Sequence, residues 1–448
     1  MPTPPPLAPG ALPLAGHAPS FFKDPVALID AGRRAHGPVF SVRLGPDRAA
    51  VVTGPHESRQ VLALPESTLA VRPVYQWLRP MFGDVMQAAA HRDYLAQRAA
   101  LLPAFRGRHV EDRTAPVARD IHAWVASLGT SGRFDANPAM QRLTLDIAVR
   151  LVLGEDFRAR HGAEFRRLFL DVAAGMEFLL PENFPLPRLV RRNRARRRLF
   201  TMLLPELRAA RAGQDPARRG YLATIAAAHD GDGAPFDEDT AVGLALILCY
   251  ASYETTAAQL AWALVLLLQH PRQLAPVAEE VRAVLPAGED PVPVGALRKL
   301  ELLGRCLWEV QRLRPVTTVL TRSVEETYEV GGHSVPSGWK TLLCPPVTHR
   351  DPELYPDPGT FDPDRFSSAR DPEGRAVAGL LNFSGGGHAC LGRHLADLEM
   401  RLVLALLLRR YEMRLVDPHP APERRVGPSR PAGACPIAYR APAGARHR

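Results

Sequence analysis

Apolar positions along this chain follow two periods. From Ala88 to about Ala212 they recur at mostly helical spacing, with breaks at Gly129–Gly132 and at Pro181–Pro187. Gly213 to Pro235 is polar and Gly-rich and reads as a loop region. Phe236-Asp237-Glu238-Asp239-Thr240 then opens a helix with acids in its first turn, where the helix dipole favours them. The pattern carries this helix to about Gln269, before His270-Pro271. At 1.5 Å per residue it is roughly 50 Å long, enough to cross a whole domain. Ala241 to Leu248 and Leu260 to Leu268 are almost wholly apolar, so both ends are predicted to be buried. Between them lies a polar island, Ala251-Ser252-Tyr253-Glu254-Thr255-Thr256. Polar groups inside a buried helix need partners. Threonine back-bonding with a locally paired Glu254 accounts for the island as readily as a catalytic role does.

The second period is that of strands. Val39 to Leu44 and Ala50-Val51-Val52 flank Gly45-Pro46-Asp47-Arg48 and read as a hairpin. Tyr328-Glu329-Val330 and Trp339 to Leu343 bracket Gly331-Gly332 and Pro336, predicting a second small sheet. A short strand pair is expected near Ile437–Tyr439. No internal repeat is visible. The expected architecture is mainly α with small β-sheets, in which residues 1–16 form a Pro-rich leader and residues 17–448 a single domain.

Composition narrows the class. The formal charge is 56 − 47 = +9 and the pI about 9.6, so an acidic protein partner or an anionic surface suits the chain. The basic run from Arg188 to Arg198 holds seven arginines but no interleaved aromatics, so it reads as a solvated helix face and not as a nucleic-acid site. Five cysteines without paired spacing argue against a disulfide framework and for a reducing cytosol. Met1 to Gly16 lacks the basic start and apolar centre of a signal peptide, and no uncharged apolar run reaches ~20 residues, so no membrane anchor is expected.

The candidate chemistry sits in Phe383-Ser384-Gly385-Gly386-Gly387-His388-Ala389-Cys390-Leu391-Gly392. A glycine-rich loop delivers one cysteine to the start of the apolar helix Leu391–Leu408. Backbone amides can approach a sulfur closely there, and the helix N-terminus favours thiolate over thiol. One cysteine is not a zinc site, which needs three or four protein ligands. A lone thiolate with an open opposite face suits haem. A buried apolar cysteine beside a turn fits the same residues when they are read alone.

The pattern Phe383-x-x-Gly386-x-His388-x-Cys390-x-Gly392 resembles the haem-binding signature of the cytochrome P-450 family, in which Arg is commoner at the His388 position. The resemblance covers nearly the whole chain from Gly16. It implies a single-domain, α-rich triangular prism enclosing haem b, with Cys390 as axial iron ligand and Phe383, Gly386 and Gly392 shaping its loop. The polar island resembles the family's oxygen-activation motif. Thr255 then takes the hydroxyl role and Glu254 the acid role in proton delivery, with Ser252 where the family usually has Gly. Glu309-x-x-Arg312, followed by Leu313-Arg314-Pro315, resembles the Glu-x-x-Arg motif, and Pro363-Asp364-Arg365-Phe366 supplies its third partner. Glu309, Arg312 and Arg365 are thereby implied to form a buried charge network holding the cysteine loop. Tyr94-x-x-x-Arg98, Arg322, His388 and Tyr75 are implied as partners of the haem propionates.

Three features are similar to soluble sterol 14α-demethylases: Gly16-His17-Ala18-Pro19-Ser20-Phe21 with Asp24-Pro25, Tyr75-Gln76-Trp77-Leu78-Arg79-Pro80-Met81-Phe82-Gly83, and the spacing from Glu309 to Arg322. Those enzymes typically place His where this chain has Glu254, so the resemblance implies a relative acting on another bulky apolar molecule: a terpenoid, a sterol-like compound or a polyketide of specialised metabolism. Candidate pocket residues are Leu78, Phe82, Met86, Phe178, Leu248, Ala251, Val316 and Val319. The implied enzyme is a cytoplasmic, monomeric monooxygenase using O2. Its electrons come from NAD(P)H through ferredoxin and ferredoxin reductase, docking near Arg98, Arg106, Arg108 and Arg393. Two alternatives stand beside this reading. One is an enzyme of the same fold that uses peroxide or ends in desaturation, coupling or rearrangement. The other is a non-catalytic haem or ligand binder.

Overall fold

The computed structural model describes residues 2–106, 108–177, 180–181, 184–213, 220–285, 292–423 and 428–442. Phe178 and the side chain of Arg108 lie outside the described residues. Among the described residues helix dominates, with three small sheets beside it.

The long helix runs over Glu238–Gln269, and Asp237 caps it by accepting from the Thr240 N–H. Both apolar ends are buried as the sequence predicts, and the Trp262 side chain is wholly enclosed. It packs most extensively on helix Ala136–Leu153. At Gly243 the packing is close enough that a Cβ would meet the Phe82 carbonyl oxygen at 2.1 Å, so any larger residue would push the 79–82 turn away. By length and composition this helix alone among the described residues matches a membrane span, and most of it is buried inside the protein. Helix Pro187–Arg211 packs on helix Glu155–Ala174. Its arginines are mostly paired outward, as Arg198 is with Glu164 at 3.0 Å. Arg192 departs from the expected solvated face: it is 1% exposed and donates to the Gly175 carbonyl at 3.1 Å.

The first hairpin is β1 (Val39–Leu44) and β2 (Asp47–Val52), turning at Gly45-Pro46. It belongs to a five-stranded sheet that also contains β3 (Leu69–Ala70), β5 (Leu320–Val324) and β8 (Lys340–Leu343), in the order β1-β2-β8-β5-β3. Between β3 and β5 in the sequence comes β4 (Ser131–Asp135). The sequence pattern groups Trp339–Leu343 with Tyr328–Val330. Instead β8 joins the first sheet, parallel to β2, where its Thr341, Leu342 and Leu343 are buried. The partner of β6 (Tyr328–Val330) is β7 (His333–Val335), closed by Gly331 and Gly332 at φ +55° and +78°. Two consecutive positive φ values make the tight hairpin turn that glycines permit.

Two further elements were not read from the sequence. The Gly129–Gly132 break leads into β4, which pairs with β10 (Pro436–Arg440), itself paired with β9 (Glu412–Leu415). The polar 213–235 region holds helix Gly220–Ala226, which buries Tyr221, Leu222 and Ile225. Seven residues are too few for periodicity to stand out. The Pro-rich leader runs alongside β1: Ala8 N–H donates to Ser41 O at 2.8 Å, and Ser41 N–H donates to Pro6 O at 2.7 Å.

Candidate functional site

The cysteine loop lies between helix Pro55–Leu62 and helix Arg393–Arg410. At Gly386, φ is +58° and a Cβ would stand 2.0 Å from the Leu62 carbonyl oxygen. Both facts require glycine there. Ser384 also takes a left-handed φ of 55°, a conformation that costs a non-glycine residue about 1–3 kcal/mol and is tolerated where its surroundings fix it. Its Oγ accepts from Arg322 Nη2 at 3.3 Å. The Cys390 N–H donates to Phe383 O at 2.9 Å and closes the loop. Cys390 is exposed, whereas Cys249, Cys306, Cys344 and Cys435 are buried. Its surface is open, yet protein surrounds the sulfur on most sides, and the resulting desolvation raises the Cys390 pKa; the Gly392 N–H with the Arg98 and Arg393 guanidiniums draws it back only in part. The net direction is upward, so the helix start and the loop amides do not by themselves make the thiolate.

Residues far apart in sequence meet at this loop. Tyr94 OH donates to Gly387 O at 3.1 Å, and Arg98 Nη2 to Ala389 O at 2.8 Å. They stand one turn apart on helix His91–Leu101, so both reach the loop from one face. The Tyr94 and His388 rings lie 4.8 Å apart. His388 Nε2 pairs with Glu66, which the sequence reading did not single out. Burial works against the Glu66 carboxylate, but the His388 ring and the Val71 N–H outweigh it and hold its pKa below the usual range. Nothing in the sequence marks a single Glu in a loop 322 residues from its partner. Arg322, 5% exposed, has no carboxylate partner among the described residues, and Arg98 has none either. Tyr75 lies half-buried beside Trp77, ring centroids 6.3 Å apart.

A buried ionic cluster is linked by hydrogen bonds to the chain just before the loop. Arg312 Nε and Nη2 make a forked pair with Glu309 at 2.7 and 2.8 Å, and Arg365 Nε donates to Glu309 at 3.2 Å. Arg312 Nη1 also donates to His349 O at 3.0 Å. The His349 ring in turn accepts the Leu381 N–H at 2.8 Å, two residues before Phe383. His349 was also missed in the sequence, since a lone His carries no motif.

Burial, aided by the Arg312 charge, pushes the His349 pKa down from 6.5 to about 3. Between those values the unfolded chain binds a proton that the folded protein refuses. Stability should therefore fall as pH drops from 6.5 toward about 3, at up to about 1.4 kcal/mol per pH unit. Chemical denaturation of the protein and of His349→Gln across this window should show a shallower slope in the variant. Parallel slopes would mean that His349 does not titrate this way.

On the long helix the structure exposes Ala251 and Thr255, one turn apart, while Tyr253, Glu254 and Thr256 are buried. Thr255 Oγ1 donates to Ala251 O at 2.7 Å, and Ser252 Oγ to Leu248 O at 2.9 Å. The back-bonding expected of such an island is thus present, yet it leaves the Thr255 oxygen accessible. Leu78, Phe82, Met86 and Leu248 share one apolar cluster, with the Phe82 ring 5.2 Å from that of Tyr250. Val316 is half-buried. Val319 packs elsewhere, with Phe40, Val42, Leu342 and Val347 of the five-stranded sheet and its neighbours. Arg106 and Arg393 are exposed and Arg98 is half-buried.

A family model described as Cytochrome P450 matches residues 4–434. The chain belongs to the cytochrome P450 family. This P450 is 31% identical over 421 residues to a cyclooctat-9-en-7-ol 5-monooxygenase of Streptomyces melanosporofaciens, covering 91% of this chain and 89% of that one. It is 26% identical over 410 residues to a sterol 14α-demethylase of Mycolicibacterium vanbaalenii, covering 90% of each chain. It is 27% identical over 427 residues to an obtusifoliol 14-alpha demethylase of Triticum aestivum, covering 93% of this chain and 94% of that one. The fold matches a cyanobacterial CYP120A1 structure with retinoic acid bound, at TM-score 0.86 and 24% identity, covering 98% of this P450 and 100% of that chain.

The P450 is thus a monooxygenase that works with haem, dioxygen, a hydrophobic substrate and electrons from redox partner proteins. The residues around Cys390 fit such a group. One accessible sulfur stands on a loop shaped by glycine, and two guanidiniums without carboxylate partners among the described residues suit a dianionic porphyrin.

Proposed function

We propose that this P450 inserts one oxygen atom into a bulky apolar small molecule, a terpenoid, sterol-like compound or polyketide of specialised metabolism, with Cys390 holding haem b. The observation that carries the assignment of Cys390 is its accessibility: it is the one exposed cysteine among the described residues, and Tyr94, Arg98 and Arg322 bond to its loop, where the His388 ring lies against Tyr94. When bound through a thiolate, haem supplies the cleavage of the O–O bond. The protein supplies the rest. Arg98, Arg322, Tyr94, His388 and Tyr75 hold the propionates, so that two negative charges are met by fixed donors. The Glu309–Arg312–Arg365 cluster keeps the loop in register.

Thr255 and Glu254 deliver protons. The accessible Thr255 hydroxyl holds a water, and Glu254 exchanges protons with it. The Leu78, Phe82, Met86 and Leu248 cluster, with Ala251 and Val316, provides the apolar surface that binds substrate and excludes water. The terpenoid assignment is supported by the 31% identical relative and by Glu254, which stands where sterol demethylases typically carry His. NAD(P)H electrons arrive through a ferredoxin and its reductase, and the exposed Arg106 and Arg393 offer an acidic carrier a cationic face. The protein is a cytoplasmic monomer.

Two measurements test the reading. Titration with terpenoid alcohols and with sterols should give the larger substrate-induced spin shift for the first. A shift with lanosterol-type sterols alone would reverse the assignment. Thr255→Ala should keep the spin shift and the thiolate spectrum while reduced cofactor is diverted to hydrogen peroxide, with coupling lowered by about a hundredfold, the low end of what a positioned proton donor contributes. Coupling at the parent level in that variant would remove Thr255 from the relay.

A further inference from the structure

Thr144 lies on helix Ala136–Leu153, 1% exposed among buried Leu143, Leu145 and Ile147. Its Oγ1 is 2.9 Å from Met140 O in its own helix and 2.9 Å from Tyr253 O on the long helix. The Gln141 carbonyl lies farther off, at 3.4 Å. A hydroxyl has one hydrogen to donate. A bond to Met140 alone would be ordinary back-bonding within a helix. The Tyr253 contact crosses between helices, at the most extensive helix–helix interface of the molecule.

The Tyr253 carbonyl and the Glu254 N–H belong to one rigid peptide group. Whatever holds that carbonyl fixes the plane from which Glu254 and Thr255 set out. Ser252 and Thr255 draw on the carbonyls of Leu248 and Ala251. With Thr144, three hydroxyls engage three carbonyls within one and a half turns of helix, and only Thr144 does so from a second element. Hydroxyl bonds to helix carbonyls compete with the N–H ladder and bend the helix. The Tyr253 ring, itself buried, packs edge-on to Phe169 at 5.8 Å.

We propose that Thr144 is a positioning residue for the Glu254–Thr255 pair, setting its helix geometry for proton delivery. The inference rests on the relay reading of those two residues. Thr144→Val keeps the shape and removes the donor. In the holoenzyme it should retain the carbonyl thiolate spectrum and substrate-induced spin shift. Product formed per NAD(P)H should fall about three- to tenfold, the ratio a hydrogen bond of usual net strength sets. Peroxide should rise to match, and amide exchange over residues 253–258 should quicken. Thr144→Ser should restore coupling. Thr144→Cys, a weaker donor of similar size, serves if the valine variant does not fold. A purely structural role would lower the melting temperature while leaving product per NAD(P)H untouched. Coupled Thr144→Val beside uncoupled Thr255→Ala overturns this inference alone. Coupled Thr255→Ala overturns the relay reading and this inference with it.

Discussion

Replacing Cys390 by serine should abolish the thiolate absorption band of the carbonyl complex and reduce turnover to background. Serine is close in volume, and the bond from the residue 390 N–H to Phe383 O does not involve the side chain, so the loop should persist. What changes is the donor atom. A thiol is the soft, ionisable ligand that pushes electron density onto iron, and a hydroxyl is not. The upward direction of the Cys390 pKa makes the point stronger. Burial favours the neutral thiol, so thiolate formation is coupled to metal binding and must release a proton. Absorption spectra of the reduced, carbon monoxide-treated protein decide it. A variant that kept the thiolate band would exclude Cys390 as ligand, and one of the four buried cysteines would have to move to take its place.

Arg312→Leu should lower the unfolding free energy by about 3–5 kcal/mol, the usual cost of stranding a buried charge. Glu309 and Arg312 are both 0% exposed. Without Arg312, the Glu309 carboxylate keeps only the Arg365 guanidinium at 3.2 Å and the Asp362 N–H at 2.8 Å. The carbonyls of His349, Pro358 and Thr360 each lose a donor as well. Arg312→Lys should rescue little, because an ammonium cannot make the two-pronged contact and reach three carbonyls at once. Since His349 also accepts from Leu381, the damage should spread to the cysteine loop, seen as a larger fraction of protein purified without haem. Urea denaturation measures the first effect and the haem-to-protein absorbance ratio the second. A loss below about 1 kcal/mol would place the pair with solvent-screened salt bridges.

Much of this was legible because the residues concerned sit in short, fixed spacings. Glu309 and Arg312 are one helical turn apart, and Tyr94 and Arg98 likewise, so sequence alone put each pair on one face. The long helix announced itself by acids at one end, Pro271 at the other and unbroken apolar flanks. What stayed hidden was tertiary. Glu66 and His349 act through partners hundreds or tens of residues away, and no local pattern encodes such pairings. β8 was assigned to the wrong sheet because strand partnership depends on which faces are buried, while β7 passed unnoticed as three residues after a Gly-Gly turn. Arg192 looked like its neighbours in a basic run, and only the close approach of Gly175 turns it inward.

The leader beside β1 has a consequence for how this protein avoids sticking to itself. β1 is a border strand of the five-stranded sheet, and such borders invite intermolecular pairing and fibril growth. Here the segment laid along that border contains Pro4, Pro5, Pro6 and Pro9. Each proline lacks an amide hydrogen, so the outermost row offers another strand few donors. The imino acids act as a hem that stops the sheet from fraying into aggregates.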